Sequence, residues 1–190
     1  REVGIVDRIS EDHAEALRGA DLVLLAAPVA QTGPILEALL PHLEPQTVVT
    51  DAGSTKCDVV AAARAVLRDR VRQFVPGHPI AGSESNGPDA ALPKLYHGKK
   101  CVLTPLPENA EQDVERVAGA WRGLRAGVPH LRPEDHDRVF AAGSHLPHLL
   151  AYALVDDIAA KPHADLLFQY AASGFRDFTR IAGSSPEMWR

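Results

Sequence analysis

The stretch Gly77-His78-Pro79-Ile80-Ala81-Gly82-Ser83-Glu84 sets an imidazole, a hydroxyl and a carboxylate close together in the chain. It follows a short apolar run, Phe74-Val75-Pro76, and its glycine and proline content predicts a loop rather than helix or strand. Loops at the ends of buried strands are where open α/β sheets keep their chemistry. A histidine so placed titrates near neutral pH and suits proton transfer, although a lone loop histidine equally suits capping a turn. Upstream, Asp51-Ala52-Gly53-Ser54-Thr55-Lys56 joins an apolar run to a helical pattern. Ser54 or Thr55 is a natural N-cap there, yet two hydroxyls, an aspartate and a lysine in one turn exceed what capping needs.

Two further groups lie downstream. In Ser144-His145-Leu146-Pro147-His148, Ser144 and His148 are four apart and share a helix face. Pro147 removes a backbone donor, so the helix is expected to kink there and free a carbonyl near Gly143. His148 alone also suits a satisfied core histidine. In Ser173-Gly174-Phe175-Arg176-Asp177-Phe178-Thr179-Arg180-Ile181-Ala182, the residues Phe175, Phe178, Ile181 and Ala182 make an apolar face. Arg176 reads as solvated, whereas Arg180 beside aromatic residues suits a forked grip on a carboxylate.

The elements that must position these groups recur at βαβ intervals. Apolar runs at 2–6, 21–27, 47–50, 72–75, 100–104 and, more weakly, 127–131 predict strands. Helical patterns fall near 11–18, 34–40, 56–70 and 110–125. The alternation predicts an α/β fold, a Rossmann-like and mostly parallel sheet covered on both faces. Successive parallel strands would bring Ser54 and His78 to one sheet edge. Pro28, at the end of the run 21–27, turns the chain beside the expected cofactor crevice. Asp7 follows the run 2–6; taken alone it suits a helix-capping or surface acid, although an acid at that place in a dinucleotide fold binds ribose hydroxyls. That role needs a Gly-rich turn about twenty residues upstream, which this sequence does not contain. The missing strand would be a central one, so the chain is expected to be part of a longer protein. From about Pro133 the pattern becomes all-helical over 136–160 and 163–172. The expected organisation is residues 1–132 as a partial nucleotide-binding domain and 133–190 as a partial helical domain.

Composition narrows the classes. The chain has 190 residues, 45% of them hydrophobic, and a net charge of −5 with both signs interleaved. Nothing here resembles a nucleic-acid footprint or a polybasic membrane patch, and no apolar run could span a bilayer. Cys57 and Cys101 lack metal-type spacing and read as reduced, buried thiols of a cytoplasmic protein. No metal is expected.

Taken in order, Asp51–Lys56, Gly77–Glu84, Ser144–His148 and Asp177–Ala182 with Trp189 resemble the prephenate dehydrogenase family of tyrosine biosynthesis. That family includes arogenate and dual-substrate cyclohexadienyl dehydrogenases. The resemblance covers essentially the whole chain, but the amino-terminal Gly-rich turn and most of the carboxyl-terminal dimerisation helices are absent. Ser173 stands where many members have glycine. The resemblance implies NAD(P)-dependent oxidative decarboxylation of prephenate to 4-hydroxyphenylpyruvate. His78 would accept the ring hydroxyl proton, with Ser54 bonded to that hydroxyl or to the imidazole and also near the cofactor. Arg180, His148 and Ser144 would hold substrate carboxylates, without an assignment of which holds which. Glu84 and Asp177 would gate the pocket, and Trp189 would reach a partner subunit's site in a homodimer. Asp7 favours NAD over NADP, a preference tempered by Arg8.

Three other readings remain at this stage. One is an arogenate-preferring or dual-specificity enzyme, differing in one or two pocket contacts. Another is an inactive dinucleotide-binding or regulatory module, which would be expected to have lost some of His78, Ser54, His148 and Arg180. A β-hydroxyacid dehydrogenase would need a catalytic lysine on the helical part, where Lys161 beside Pro162 is a poor candidate.

Overall fold

The computed structural model describes residues 6–82 and 88–183. Contacts divide the chain into two units, with the division after Asp137. The first unit is α/β. Helix α1 (His13–Leu17) opens on Asp12, whose carboxylate accepts the Glu15 amide. Strands β1 (Leu22–Leu25), β2 (Val48–Asp51) and β3 (Phe74–Val75) form a parallel sheet in that order. Helices α2 (Thr32–Leu39) and α3 (Cys57–Leu67) supply the crossovers. The strand expected at 2–6 lies outside the described residues, save Val6, which is not in a strand.

Side chains alternate across the sheet, and each face has its own core. Val49 and Phe74 pack with Leu36, Val59, Ala63 and Leu67 from α2 and α3. Val48 and Val75 face the other way, onto Val117, Ala118 and Trp121 of α4 (Glu111–Gly123). The sheet is thus covered on both sides, which is why its strands read as continuous apolar runs.

Several expectations need correction. Residues 77–79 are not a loop: β4 (Gly77–Pro79) pairs antiparallel with β5 (Cys101–Leu103), His78 opposite Val102. Ladder bonds run from Thr104 N–H to Pro76 O and from Ile80 N–H to Lys100 O. Pro79 therefore falls at a non-hydrogen-bonded position, where its missing donor costs the ladder nothing. Residues 127–131 make only two isolated parallel bridges to β5's edge, because Pro129 interrupts them. The segment before β3 is a 3-10 turn (Arg68–Gln73), so that strand keeps only two residues. Cys57 is exposed, whereas Cys101 is buried.

The second unit is helical, and the helix at its start begins in the first unit, which keeps residues up to Asp137. The expected helix 136–160 is three pieces: α5 (Pro133–Phe140), a π-helical turn (Ala141–His145) and α6 (Leu146–Ala159). The π turn sits just ahead of Pro147, and Leu146 N–H bonds to Ala141 O across it. Widening the turn accommodates the ring and the missing donor without breaking the helix. Helices α7 (Ala164–Gln169) and α8 (Ser173–Thr179) follow, then a 3-10 turn (Arg180–Gly183) that packs on α6. Phe178, assigned above to an apolar face, is 42% exposed.

Gly77 is one of the places where the fold leaves little room for a side chain. A Cβ there would lie 3.1 Å from Asp51 O, 3.1 Å from a Leu103 methyl and 3.3 Å from Thr50 Oγ1. One of these neighbours is backbone and cannot rotate aside. Gly77→Ala should therefore destabilise the protein by about 1–3 kcal/mol, read as a lower urea midpoint; an unchanged midpoint would contradict this packing.

Candidate active site

The site grows from the carboxyl edge of the parallel sheet. Asp51, the last residue of β2, is buried and accepts the Gly53 amide at 2.8 Å and the Gly77 amide at 3.0 Å, one on each carboxylate oxygen. Lys56, with no solvent exposure, forms an ion pair with Asp51 and donates to Gly77 O at 2.6 Å. Burial pulls the Lys56 ammonium below its ordinary pKa, while the Asp51 carboxylate opposes that pull. Both backbone groups of Gly77 are thereby turned away from β5 and clamped by one ion pair. The next residue is His78.

His78 is half-buried, and its Nδ1 lies 2.8 Å from Nε2 of His136. His136 is fully buried on α5, and its Nδ1 lies 2.8 Å from Asp137 Oδ1. A carboxylate only accepts, so His136 Nδ1 carries a proton, and with that ring neutral its Nε2 accepts from His78. His78 then donates through Nδ1, which assigns Nε2 as its basic atom. The two rings meet edge-on with centroids 5.0 Å apart.

Asp137 has a second task. Its carboxylate accepts the Lys56 amide at 2.7 Å and the Cys57 amide at 2.8 Å, capping the start of α3 from a distant segment. Neither Ser54 nor Thr55 caps that helix, a correction to the N-cap expectation. Burial works to raise the Asp137 pKa. The Cys57 amide, the His136 ring and the Lys56 amide outweigh it, and the carboxyl is held below its ordinary value. The Cys57 thiol, desolvated and beside Asp137, is pushed up to about 11 and stays protonated at neutral pH.

Ser54 is exposed in the β2–α3 turn, and Thr55 Oγ1 is buried without a hydrogen-bond partner. An exposed hydroxyl not used for capping, next to an orphaned buried one, lies at the edge where such sheets bind nucleotides and offers polar groups to a ligand there. Pro28 is exposed just after β1, ahead of a 3-10 turn (Val29–Gln31), on the same edge. Asp7 is exposed beside a hollow lined by Arg8, Ser10 and Glu15.

Within the helical unit, the half-buried His148 lies 2.8 Å through Nδ1 from the carbonyl of Ser144 in the π turn. A carbonyl only accepts, so that nitrogen carries the proton. Arg180 and Asp177 are exposed, and Arg180 begins the turn that packs on α6, the helix carrying His148. Glu84 and Trp189 lie outside the described residues.

Sequence reasoning noted Asp51 and Lys56 without giving them a task, and it passed over His136 and Asp137. In Pro133-Glu-Asp-His-Asp137 the acids look like ordinary first-turn residues. The only signal was a histidine followed directly by an aspartate in that turn.

The parallel sheet with its carboxyl-edge polar groups, followed by a helical unit, is the plan of a two-part nucleotide-binding protein. The family model described as prephenate dehydrogenase, nucleotide-binding domain, matches residues 1–129, and that of the dimerization domain matches 132–190. The chain belongs to the prephenate dehydrogenase family. It is 35% identical to a cyclohexadienyl dehydrogenase of Zymomonas mobilis, covering 100% of this chain and 65% of that protein. It is 39% identical to a prephenate dehydrogenase of Bacillus subtilis, covering 99% of this chain and 51% of that one. Its fold matches the crystal structure of prephenate dehydrogenase from A. aeolicus in complex with hydroxyphenyl propionate and NAD+. There the TM-score is 0.88 at 40% identity, covering 100% of this chain and 66% of that one. The chain thus spans between half and two-thirds of these relatives' length.

Asp137 should register in stability as a function of pH. Its folded pKa lies below the ordinary value, so its contribution is complete above about pH 4 and is lost as pH falls through the folded pKa. Asp137→Ala should cost about 1–2 kcal/mol at neutral pH through the lost cap. The gap should narrow in acid, by urea denaturation near about pH 3. A gap of equal size at both pH values would contradict the capping role.

Proposed function

We propose that this chain forms most of the catalytic region of an NAD-dependent prephenate dehydrogenase, acting in tyrosine biosynthesis, with His78 as general base. The single observation that carries the reading is the hydrogen-bonded series His78–His136–Asp137, which leaves Nε2 of His78 as the basic atom. The bound nicotinamide would supply the hydride acceptor. His78 takes the proton from the ring hydroxyl as the hydride leaves the same carbon. The charge gained by its imidazole is stabilised through His136 by the ionised Asp137. The ring carboxylate then leaves as carbon dioxide, its electron pair completing the aromatic ring. The proton on His78 can return to the phenolic oxygen.

Ser54 would orient the ring hydroxyl or His78, and Pro28 and Asp7 would lie along the cofactor. Asp7 supports NAD over NADP, because a carboxylate repels a ribose phosphate. Arg180, with Ser144 and His148, would hold the substrate carboxylates, with Asp177 and Glu84 at the pocket entrance and Trp189 reaching across a dimer. A homodimer through the helical unit is supported by exposed apolar side chains on α6 and α7, including Leu149, Leu150 and Leu166. The division of domains is taken near residue 132, where the two family matches meet. Among the described residues no helix is long and apolar enough to cross a membrane.

In the full-length protein, His78→Asn should lower kcat by a factor on the order of 100 to 10,000 while prephenate still binds. A rate close to wild type would remove His78 from the chemistry. Arg180→Gln should raise KM for prephenate at least about tenfold with a smaller effect on kcat. Parallel rates on arogenate test the second substrate, the reading favoured by similarity to a cyclohexadienyl dehydrogenase. A strong arogenate preference would displace prephenate.

A further inference from the structure

Lys56 takes no part in the proton transfer proposed above, yet it is buried without any solvent exposure at the centre of the site. Its ammonium holds the carbonyl of Gly77, and its partner Asp51 holds the Gly77 amide. Its backbone amide is held by Asp137, the far end of the histidine series. The contacts therefore close a ring: Lys56 side chain to Gly77, Gly77 to His78, His78 to His136, His136 to Asp137, and Asp137 back to the Lys56 backbone.

We infer that Lys56 is a positioning residue for His78, locking the base and its supporting carboxylate to one turn and tuning the basicity of the imidazole pair with its charge. A lysine serving only to fill the core would need one anionic partner. This one also grips the backbone next to the base, and its charge is also felt at Asp137. A fixed ammonium opposes formation of an imidazolium nearby, whereas Asp137 favours it. Among the described residues, the other charged or titratable groups felt along the series are Asp51 on β2, Cys57 and Asp58 on α3, Cys101 on β5 and Glu134 on α5. Both thiols are protonated at neutral pH, with Cys101 pushed up to about 12 by burial. The charges bonded directly into this ring of contacts are Lys56, Asp51 and Asp137.

The inference rests on the reading of His78 as general base, and the experiment separates the two. In the full-length protein with NAD and prephenate, Lys56→Met should lower kcat at least about tenfold while leaving KM for prephenate nearly unchanged. With the cation gone and Asp51 retained, excess negative charge favours the imidazolium. The acid limb of the kcat/KM profile should therefore move to higher pH, by about half a unit or more. Asp137→Asn should move that limb the other way. Lys56→Gln keeps a donor for Gly77 O but not the charge, so it should recover part of the rate and keep the shifted limb. A loss of amplitude with the wild-type limb in both Lys56 variants would make Lys56 mere scaffold and overturn the inference. Failure of both variants to fold would overturn it as well. If His78→Asn itself keeps near-wild-type rate, the functional reading fails; if His78→Asn is inactive while the Lys56 variants match wild type, only the positioning role falls.

Discussion

Lys56 carries a charge to a place without solvent, and Asp51 at the end of β2 is what makes that tolerable. Desolvating two such groups is costly, and their attraction offsets the cost only when the remaining hydrogen-bonding capacity is used. Here it is used on Gly53 and Gly77, so the pair fixes a turn and a strand at once. The turn carries Ser54, and the strand, β4, carries His78. An apolar pair of the same volume could fill the space, but it would leave the amide and carbonyl of Gly77 buried without partners.

A second economy appears at Asp137. One carboxylate supports the imidazole series and also caps α3, a task that the neighbouring serine and threonine could have performed locally. Capping from a distance ties α5 to the β2–α3 turn. It also leaves the Ser54 hydroxyl exposed at the sheet edge, available to a ligand. The helix cap and the proposed proton transfer thus draw on the same group.

The π-helical turn ahead of Pro147 shows the same logic inside the helical unit. A proline in mid-helix forbids one backbone bond, and the chain answers by widening a single turn. That turn contains Ser144, whose carbonyl receives the His148 ring and so sets its tautomer. The His148 ring is thus held by a local irregularity rather than by a regular helical turn.

Much of the fold was legible from the sequence, for reasons that are local. Strands covered on both faces are rich in apolar residues, so the runs at 21–27, 47–50 and 72–75 pointed to the strands at 22–25, 48–51 and 74–75, and the motif at 77–84 stood out by side-chain chemistry. What sequence could not decide was whatever depends on two distant segments meeting. Gly77–Pro79 became a strand only because Cys101–Leu103 lies beside it. Ser54 lost the capping task only because Asp137 arrives from α5. His136 became the partner of His78 because burial of its ring demanded one. Residue types and their spacing named the groups able to do chemistry; tertiary structure alone chose their hydrogen-bond partners, since a buried polar atom bonds to whatever the packing brings within reach.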